Sequence, residues 1–231
     1  MKRDKGQWVG AIIAAAGTGA RMGGVDKLLA QLGGKPALAH VIDAFERCES
    51  IDQIVVVITE QSMAQVRQII SEEGWSKVAA PCRGGARRQD SVLAGLGRLK
   101  HCEWVVIHDG ARPLVTVELI ESGLKAAAET GSAVAAVRVT DTIKVTGVDR
   151  IVRHTPSRAN LWAVQTPQVF RFDIISEAYR RVKDEVSDDA ELVEQLGYVK
   201  VKLYAGSYEN IKITTPADLV LAEALLGKQG K

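Results

Sequence analysis

Val9-Gly10-Ala11-Ile12-Ile13-Ala14-Ala15-Ala16-Gly17-Thr18-Gly19-Ala20-Arg21-Met22 is an apolar run that stops in small residues and then in a cation. The run from Val9 to Ala15 predicts a strand buried on both faces. Ala14 to Met22 then predicts a loop of small residues in place of a hairpin turn. Small side chains let backbone N–H groups approach an anion closely, and Gly17 and Gly19 accept positive φ at little cost. Arg21 and Lys27 add positive charge beside the loop. A strand, a small-residue loop and two cations suit a polyphosphate. The same residues also suit a tight strand-to-helix turn with glycines for packing.

Outward from this stretch, strand and helix patterns alternate. Pro36 to Cys48 has apolar residues at Leu38, Val41, Ile42 and Phe45, a helical spacing. Ile54 to Thr59 predicts a second buried strand, Met63 to Glu73 a helix closed by Gly74, and Lys77 to Ala80 a short strand. Gln89 to Leu99 and Val117 to Thr130 predict helices, and Trp104 to His108 a strand ending at Asp109. A strand from Ala133 to Val137 follows. Such alternation predicts an α/β fold: a Rossmann-like, mostly parallel sheet with helices on both faces. The alternation breaks after Val139. Thr142 to Val145 and Ile151 to Thr155 predict a hairpin across Thr146-Gly147-Val148-Asp149, with charged arms and little to pack on. A second copy of the chain would cover this β-arm, at about 139–158; a surface flap is the alternative. The core resumes with Ala163 to Val169, a helix from Asp173 to Val182, a short helix after Ser187-Asp188-Asp189, a strand from Val199 to Tyr204 and a helix from Pro216 to Leu226. With no internal repeat or linker, residues 1–231 read as one domain.

The bulk composition narrows the function. A chain of 231 residues with 46% hydrophobic and 25% charged residues matches an ordinary globular domain with a real core. A net charge of +2 gives no electrostatic case for nucleic acid or a membrane surface. The apolar run after the charged N-terminus is too short for a membrane span and has no clear signal-peptidase site. Cys48, Cys82 and Cys102 have no C-x-x-C spacing, which suggests neither a disulfide framework nor a Cys-based zinc site. These features together predict a cytoplasmic protein.

Ligands of open parallel sheets sit at the carboxyl ends of the strands. That rule brings together the Ala14–Met22 loop, the loop Gly84-Gly85-Ala86-Arg87-Arg88 and Asp109. A carboxylate beside a polyphosphate is repelled unless a divalent cation lies between them, and Mg²⁺ suits that mixture of oxygens. Asp109 could instead cap a helix or pair with Arg112. His108, by strand alternation, points away and reads as packing. The Gly84–Val92 stretch can hydrogen-bond a base edge through its main chain, with Ser91 adding a hydroxyl; Asp90 or Ser91 could equally cap the helix. Lys212, in Asn210-Ile211-Lys212-Ile213-Thr214, reads by itself as an ordinary strand lysine. A dinucleotide fingerprint fails at Met22, a Walker lysine is missing after Gly19, and neither G-x-S-x-G nor H-E-x-x-H is present.

In order along the chain, six motifs carry a resemblance. Ala15-Ala16-Gly17-Thr18-Gly19-Ala20-Arg21-Met22 is similar to the signature of sugar-phosphate nucleotidyltransferases. It is followed by Gly85-Ala86-Arg87-Arg88-Gln89-Asp90-Ser91-Val92, His108-Asp109-Gly110-Ala111-Arg112-Pro113, Asp141-Thr142-Ile143-Lys144, Leu161-Trp162-Ala163-Val164-Gln165-Thr166-Pro167-Gln168 and Asn210-Ile211-Lys212-Ile213-Thr214. Together they resemble the 2-C-methyl-D-erythritol 4-phosphate cytidylyltransferase family of the non-mevalonate isoprenoid pathway.

The resemblance implies CMP transfer from CTP to a sugar phosphate with release of pyrophosphate, Mg²⁺ as cofactor, and a homodimer formed by the β-arm. It implies that Arg21, Lys27 and Lys212 are catalytic cations. Ala15, Ala16, Gly17, Thr18, Gly19, Gly85, Ser91 and Gly110 would surround the nucleotide. Asp109, Arg112, Thr142, Thr166 and a partner chain's Arg158 would surround the sugar phosphate, with Asp109 and Glu209 on the metal. The chain departs from the family pattern at Asp26, beside Lys27, at Glu209, where the family often has Asp, and at Arg88, which stands in place of a smaller neighbour of the cytosine site. Ribitol 5-phosphate is the alternative acceptor. An NAD(P)-binding oxidoreductase and a catalytically silent nucleotide-binding subunit are the readings from other classes.

Overall fold

The computed structural model describes residues 8–17 and 28–229. Thr18, Gly19, Arg21 and Lys27 therefore lie outside the described residues. In chain order the elements are β1 (Val9–Ala15), β2 (Gln31–Leu32), β3 (Lys35–Pro36), α1 (Ala37–Arg47), β4 (Gln53–Ile58) and α2 (Met63–Glu73). They continue with β5 (Cys82–Arg83), α3 (Arg88–Leu96), β6 (Trp104–Asp109), α4 (Val117–Thr130), β7 (Ser132–Arg138), β8 (Val145–Thr146) and β9 (Val152–His154). A 3-10 turn at Arg158–Asn160 precedes β10 (Trp162–Arg171), α5 (Phe172–Arg181), α6 (Asp189–Glu194), β11 (Lys202–Ala205) and α7 (Pro216–Gln229).

Seven strands form one sheet in the order β11-β7-β10-β6-β1-β4-β5. β10 runs antiparallel to both neighbours, β6 and β7, and the other pairs are parallel. The sheet is thus mostly parallel, as expected. β1 lies between β4 and β6, so the chain leaves it on one side and returns on the other. The crevice beyond the carboxyl end of β1 is the place where such a sheet leaves room for a ligand.

Strand alternation feeds two helical layers. Val9, Ala11, Ile13 and Ala15 face Leu38, Val41, Ile42 and Phe45 of α1, with Val66 of α2 and Ile120 and Ala127 of α4 in the same cluster. Ile12 faces the other way, into a cluster with Val92 and Leu96 of α3, Ile174 and Ile175 of α5, and Leu192 and Val193 of α6. α7 closes a smaller cluster over Leu32, Leu114 and Ile213.

Helix ends follow local chemistry. α2 stops at Gly74 (φ 66°) and α4 at Gly131 (φ 82°), where a left-handed backbone favours glycine. Thr116 starts α4 by accepting from Leu119 N at 3.2 Å.

Two expectations shift, and one hairpin was unforeseen. The strand expected at Lys77–Ala80 is reduced to one bridge, Ile54 to Val78, and the edge strand forms instead at Cys82–Arg83. Pro81, between them, has no N–H to give to a ladder. The strand expected from Val199 forms only over Lys202–Ala205. β2 and β3, a short hairpin across Gly33 and Gly34 at φ 59° and 81°, lacked any periodic signal to reveal it.

The expected hairpin forms: β8 and β9 pair antiparallel, Val145 opposite His154 and Thr146 opposite Val152. Its apolar side chains Val148, Ile151 and Val152 are exposed.

Candidate active site

Register places the strand ends level. Ala14 of β1 pairs with Asp109 of β6, Ala15 with Ile58 of β4, and Ile58 in turn with Arg83 of β5. Past these ends opens a cavity of about 610 Å³, within the range of small-molecule sites. Ala15, Ala16, Gly17, Gly85, Ser91, Asp109 and Lys212 line it, joined by Thr59, Glu60, Gln61, Arg83 and Arg88.

Close packing makes one wall. Gly84 N donates to Ile58 O at 2.9 Å, and a Cβ on Gly84 would fall 2.4 Å from Ala16 Cβ and 2.6 Å from Ser91 Oγ. Glycine is required there because two loops meet without room for a side chain. Ser91 Oγ accepts from Gly85 N and donates to Arg87 O, both at 3.2 Å, so this hydroxyl already fixes the loop's shape. Gly110, expected beside the nucleotide, directly follows β6. It is buried, its N donates to Ala14 O at 2.9 Å, and a Cβ would meet Ala15 Cβ at 2.8 Å. It joins β6 to β1 beneath the cavity and does not line it.

Asp109 sits at the centre of charge. Lys212 Nζ lies 2.8 Å from Oδ2, Arg112 Nε 3.5 Å from Oδ2 and Arg88 Nε 3.4 Å from Oδ1. Burial opposes ionisation of this carboxyl, but the Arg88, Lys212 and Arg112 charges outweigh it and hold the group well below the usual carboxylate range. Lys212 thus gains a site role that its lone position in an apolar run did not reveal. Its side chain keeps 39% of its exposure and faces the cavity.

Behind Asp109 lies a closed hydrogen-bond circuit. Asp109 N donates to Thr166 Oγ1 at 3.0 Å, and the Thr166 hydroxyl reaches His108 Nδ1 at 3.0 Å. His108 Nε2 lies 3.2 Å from Arg112 O, a carbonyl that only accepts, so Nε2 carries the proton and Nδ1 receives the threonine hydroxyl. Burial pushes the His108 pKa down to about 4, consistent with a neutral ring. Arg112 Nη1 donates to Asn210 O at 2.7 Å, and Asn210 Nδ2 donates to Thr166 O at 2.8 Å. His108 does pack against Phe45, with ring centroids 5.4 Å apart, but it also holds Thr166 and the Arg112 backbone. Thr166 and Arg112 are buried and stand behind the cavity wall.

Thr142, Arg158 and Glu209 are exposed and are not among the cavity's lining residues. Arg158 Nη1 donates to Thr140 O at 2.6 Å, closing the base of the hairpin on itself. Glu209 N donates to Ser207 Oγ at 3.1 Å.

Arg88, expected at this edge with its loop but given no partner there, gains a defined place, while Asp189, Thr59, Glu60 and Gln61 were not among the expected site residues. Arg88 bridges Asp109 and the buried Asp189, its Nη1 2.6 Å from Asp189 Oδ2. Asp189 had read as part of a helix start in Ser187-Asp188-Asp189, and only tertiary packing distinguishes it from its neighbour. Thr59, Glu60 and Gln61 follow β4 at the same sheet edge, so the strand-end rule, applied to that strand too, would have found them.

Fold and cavity define an α/β protein with a ligand crevice at the carboxyl ends of its parallel strands. The model of the 2-C-methyl-D-erythritol 4-phosphate cytidylyltransferase family matches residues 9–228. A protein of that name from Dehalococcoides mccartyi is 52% identical over 220 residues, covering 95% of this chain and 96% of its own. One from Alkaliphilus oremlandii is 47% identical over 221 residues, covering 93% of each. Among solved structures, 4-diphosphocytidyl-2C-methyl-D-erythritol synthase from Anaerococcus prevotii is similar with a TM-score of 0.86 and 32% identity, covering 96% of this chain and all of that one. The chain belongs to the 2-C-methyl-D-erythritol 4-phosphate cytidylyltransferase family, and it is a nucleotidyltransferase.

Proposed function

We infer that the chain transfers CMP from CTP to 2-C-methyl-D-erythritol 4-phosphate, giving 4-diphosphocytidyl-2-C-methyl-D-erythritol and pyrophosphate in non-mevalonate isoprenoid synthesis. The observation that carries the chemistry is Asp109, ionised and ringed by Arg88, Arg112 and Lys212, at the floor of a cavity walled by the Gly84–Ser91 backbone.

In this reading an oxygen of the acceptor phosphate attacks the α-phosphorus of CTP. A new P–O bond forms, the bond to the β-phosphate oxygen breaks, and pyrophosphate carries away the electron pair. No covalent intermediate is required, so catalysis reduces to positioning and charge neutralisation. Lys212 neutralises developing charge beside Asp109, and Arg21 and Lys27 are expected to do so on the triphosphate. The Gly84–Ser91 main chain reads the base. Arg112 and Thr166 keep Asp109 in place from behind, through the contacts described above.

Asp109 fits a divalent cation in its chemistry: a hard, ionised oxygen donor on the cavity surface. Among the described residues no group of three or more His, Cys, Asp or Glu could hold a metal by itself. A Mg²⁺ ion on Asp109 would therefore draw its other oxygens from the nucleotide and water, and would neutralise phosphate charge there. Glu209 is exposed and outside the cavity lining, which supports Asp109 as the principal ligand.

A homodimer through the arm completes this reading, with Thr142 and a partner's Arg158 reaching the acceptor phosphate. Support comes from the exposed apolar side chains Val148, Ile151 and Val152. A cytoplasmic location belongs to the same reading. No helix among the described residues is long and apolar enough to cross a membrane. The test is pyrophosphate release with CTP, UTP and ATP against a panel of sugar and polyol phosphates. Turnover with CTP and 2-C-methyl-D-erythritol 4-phosphate is expected; preference for ribitol 5-phosphate or for another nucleotide would overturn the assignment.

A further inference from the structure

We propose that Asp189 is a positioning residue for the transfer reaction: from the helical layer beneath the sheet it clamps the Arg88 guanidinium, and Arg88 in turn fixes Asp109. This inference rests on the function just proposed.

The Asp189 side chain is fully buried, while the Arg88 side chain keeps 30% exposure and lines the cavity. Tyr179 OH donates to Asp189 Oδ1 at 2.6 Å, and Arg88 Nη1 lies 2.6 Å from Oδ2. The other side of the same guanidinium, Nε, lies 3.4 Å from Asp109 Oδ1. One planar cation therefore spans two carboxylates, one in the core and one at the reacting centre.

Helix capping does not account for Asp189. Its neighbour Asp188 already accepts from Glu191 N at 2.9 Å, and Gln168 accepts from Ala190 N at 3.2 Å. Nor does packing, since burying an ion pair is often no better for stability than burying apolar side chains of the same volume. A buried charge whose partner reaches a substrate cavity makes sense if it holds that partner at one angle. Arginine suits the task because its planar, rigid cation can face one carboxylate on each side.

The brace beneath is also rigid. Gln168 Nε2 donates to Asp188 Oδ2 at 2.7 Å, and Gln168 pairs in register with Ile107, two residues before Asp109. The start of α6 is thereby tied to the strand that carries Asp109. Without the Asp189 anchor, Arg88 would be free to swing into the cavity or collapse wholly onto Asp109. Base recognition by the Gly84–Ser91 main chain would survive, but the charges around the α-phosphorus would be misplaced.

The experiment compares wild type with Asp189→Asn, Arg88→Lys, the double variant and Tyr179→Phe. It measures thermal melting, kcat, KM for each substrate, and CTP affinity by calorimetry with and without EDTA. Asp189→Asn and Arg88→Lys should each lower kcat tenfold or more, with a smaller rise in KM for CTP. The double variant should be no worse than the more severe single one within twofold, because both break the same bridge. Tyr179→Phe removes one hydrogen bond to the buried carboxylate and should lower kcat several-fold in the same direction, with a fall in melting temperature that leaves the protein folded at the assay temperature. It decides the matter if Asp189→Asn does not fold. A folded Asp189→Asn or Tyr179→Phe with kcat unchanged, or losses that multiply in the double variant, overturns the proposal. Failure of wild type to join CTP to 2-C-methyl-D-erythritol 4-phosphate would instead count against the function itself.

Discussion

Asp109 and Arg158 are both expected to meet the acceptor phosphate, yet the chain holds them in opposite ways. Asp109 has its backbone N–H fixed by Thr166 and its carboxylate met by Lys212, Arg112 and Arg88, all at the end of a strand buried on both faces. Arg158 stands on an exposed turn, and its guanidinium donates to Thr140 O of its own hairpin base. The arm from Thr140 to Asn160 buries none of its side chains. One region is finished within a single chain, whereas the other has apolar groups and a cation that gain a use only when something else covers them. A site divided this way would bind the nucleotide with preformed parts and the acceptor with parts that assembly supplies.

Removing the arm gives the largest effect that tests this division. Replacing Thr142–Thr155 by a short Gly-Ser bridge should yield a monomer by light scattering that no longer uses the sugar phosphate. Calorimetry should still find CTP·Mg²⁺ binding near wild type, because the Gly84–Ser91 loop, Asp109 and Lys212 all lie in the core. A deleted protein that stays dimeric would put the interface elsewhere.

Lys212→Ala should cost roughly 10²–10³ in kcat, the scale of a lost electrostatic stabiliser. The side chain is 39% exposed, so melting should scarcely move. Near wild-type kcat would remove Lys212 from catalysis.

Legibility from sequence follows the same division. Strand ends were readable because an apolar run shows where it stops, and in an open parallel sheet every such stop faces one edge. That alone places Ala15, Ala16, Asp109 and the Gly84–Ser91 loop together. The hairpin was readable as an interruption of the alternation. Arg88's tie to Asp189 was not, because 100 residues of chain separate two polar positions whose local patterns read as a loop and a helix start. The edge strand was misplaced by a few residues, since propensity favoured Lys77–Ala80 while Pro81 and the register against β4 selected Cys82–Arg83.

Arg158→Ala has a narrower effect. If the guanidinium crosses to a neighbouring site, its loss should raise KM for the sugar phosphate about tenfold or more, the scale of a hydrogen bond to a charged group. KM for CTP should stay within twofold. Mixing this variant with inactive Lys212→Ala chains should restore part of the activity, because one composite site in each heterodimer is intact. Equal changes in both KM values would return Arg158 to a local role.

Thr166→Val gives the smallest effect and asks which side of the division Thr166 is on. Family resemblance puts this residue beside the acceptor, but it is only 4% exposed and its hydroxyl is engaged twice. Valine keeps the shape and leaves Asp109 N without its acceptor and His108 Nδ1 without its donor. Two unpaired groups at a buried strand end should destabilise the fold by about 1–3 kcal/mol. In a chain of this length that is a fall of roughly 2–4 °C in Tm per kcal/mol. His108 should stay neutral, since burial and not the threonine is the leading cause of its low pKa. kcat should drop only a few-fold, through a looser Asp109, with KM for the sugar phosphate nearly unchanged. An unchanged Tm with KM for the sugar phosphate raised tenfold would show the opposite: that the threonine hydroxyl turns to the substrate, and that the preformed half of the site extends to the acceptor as well.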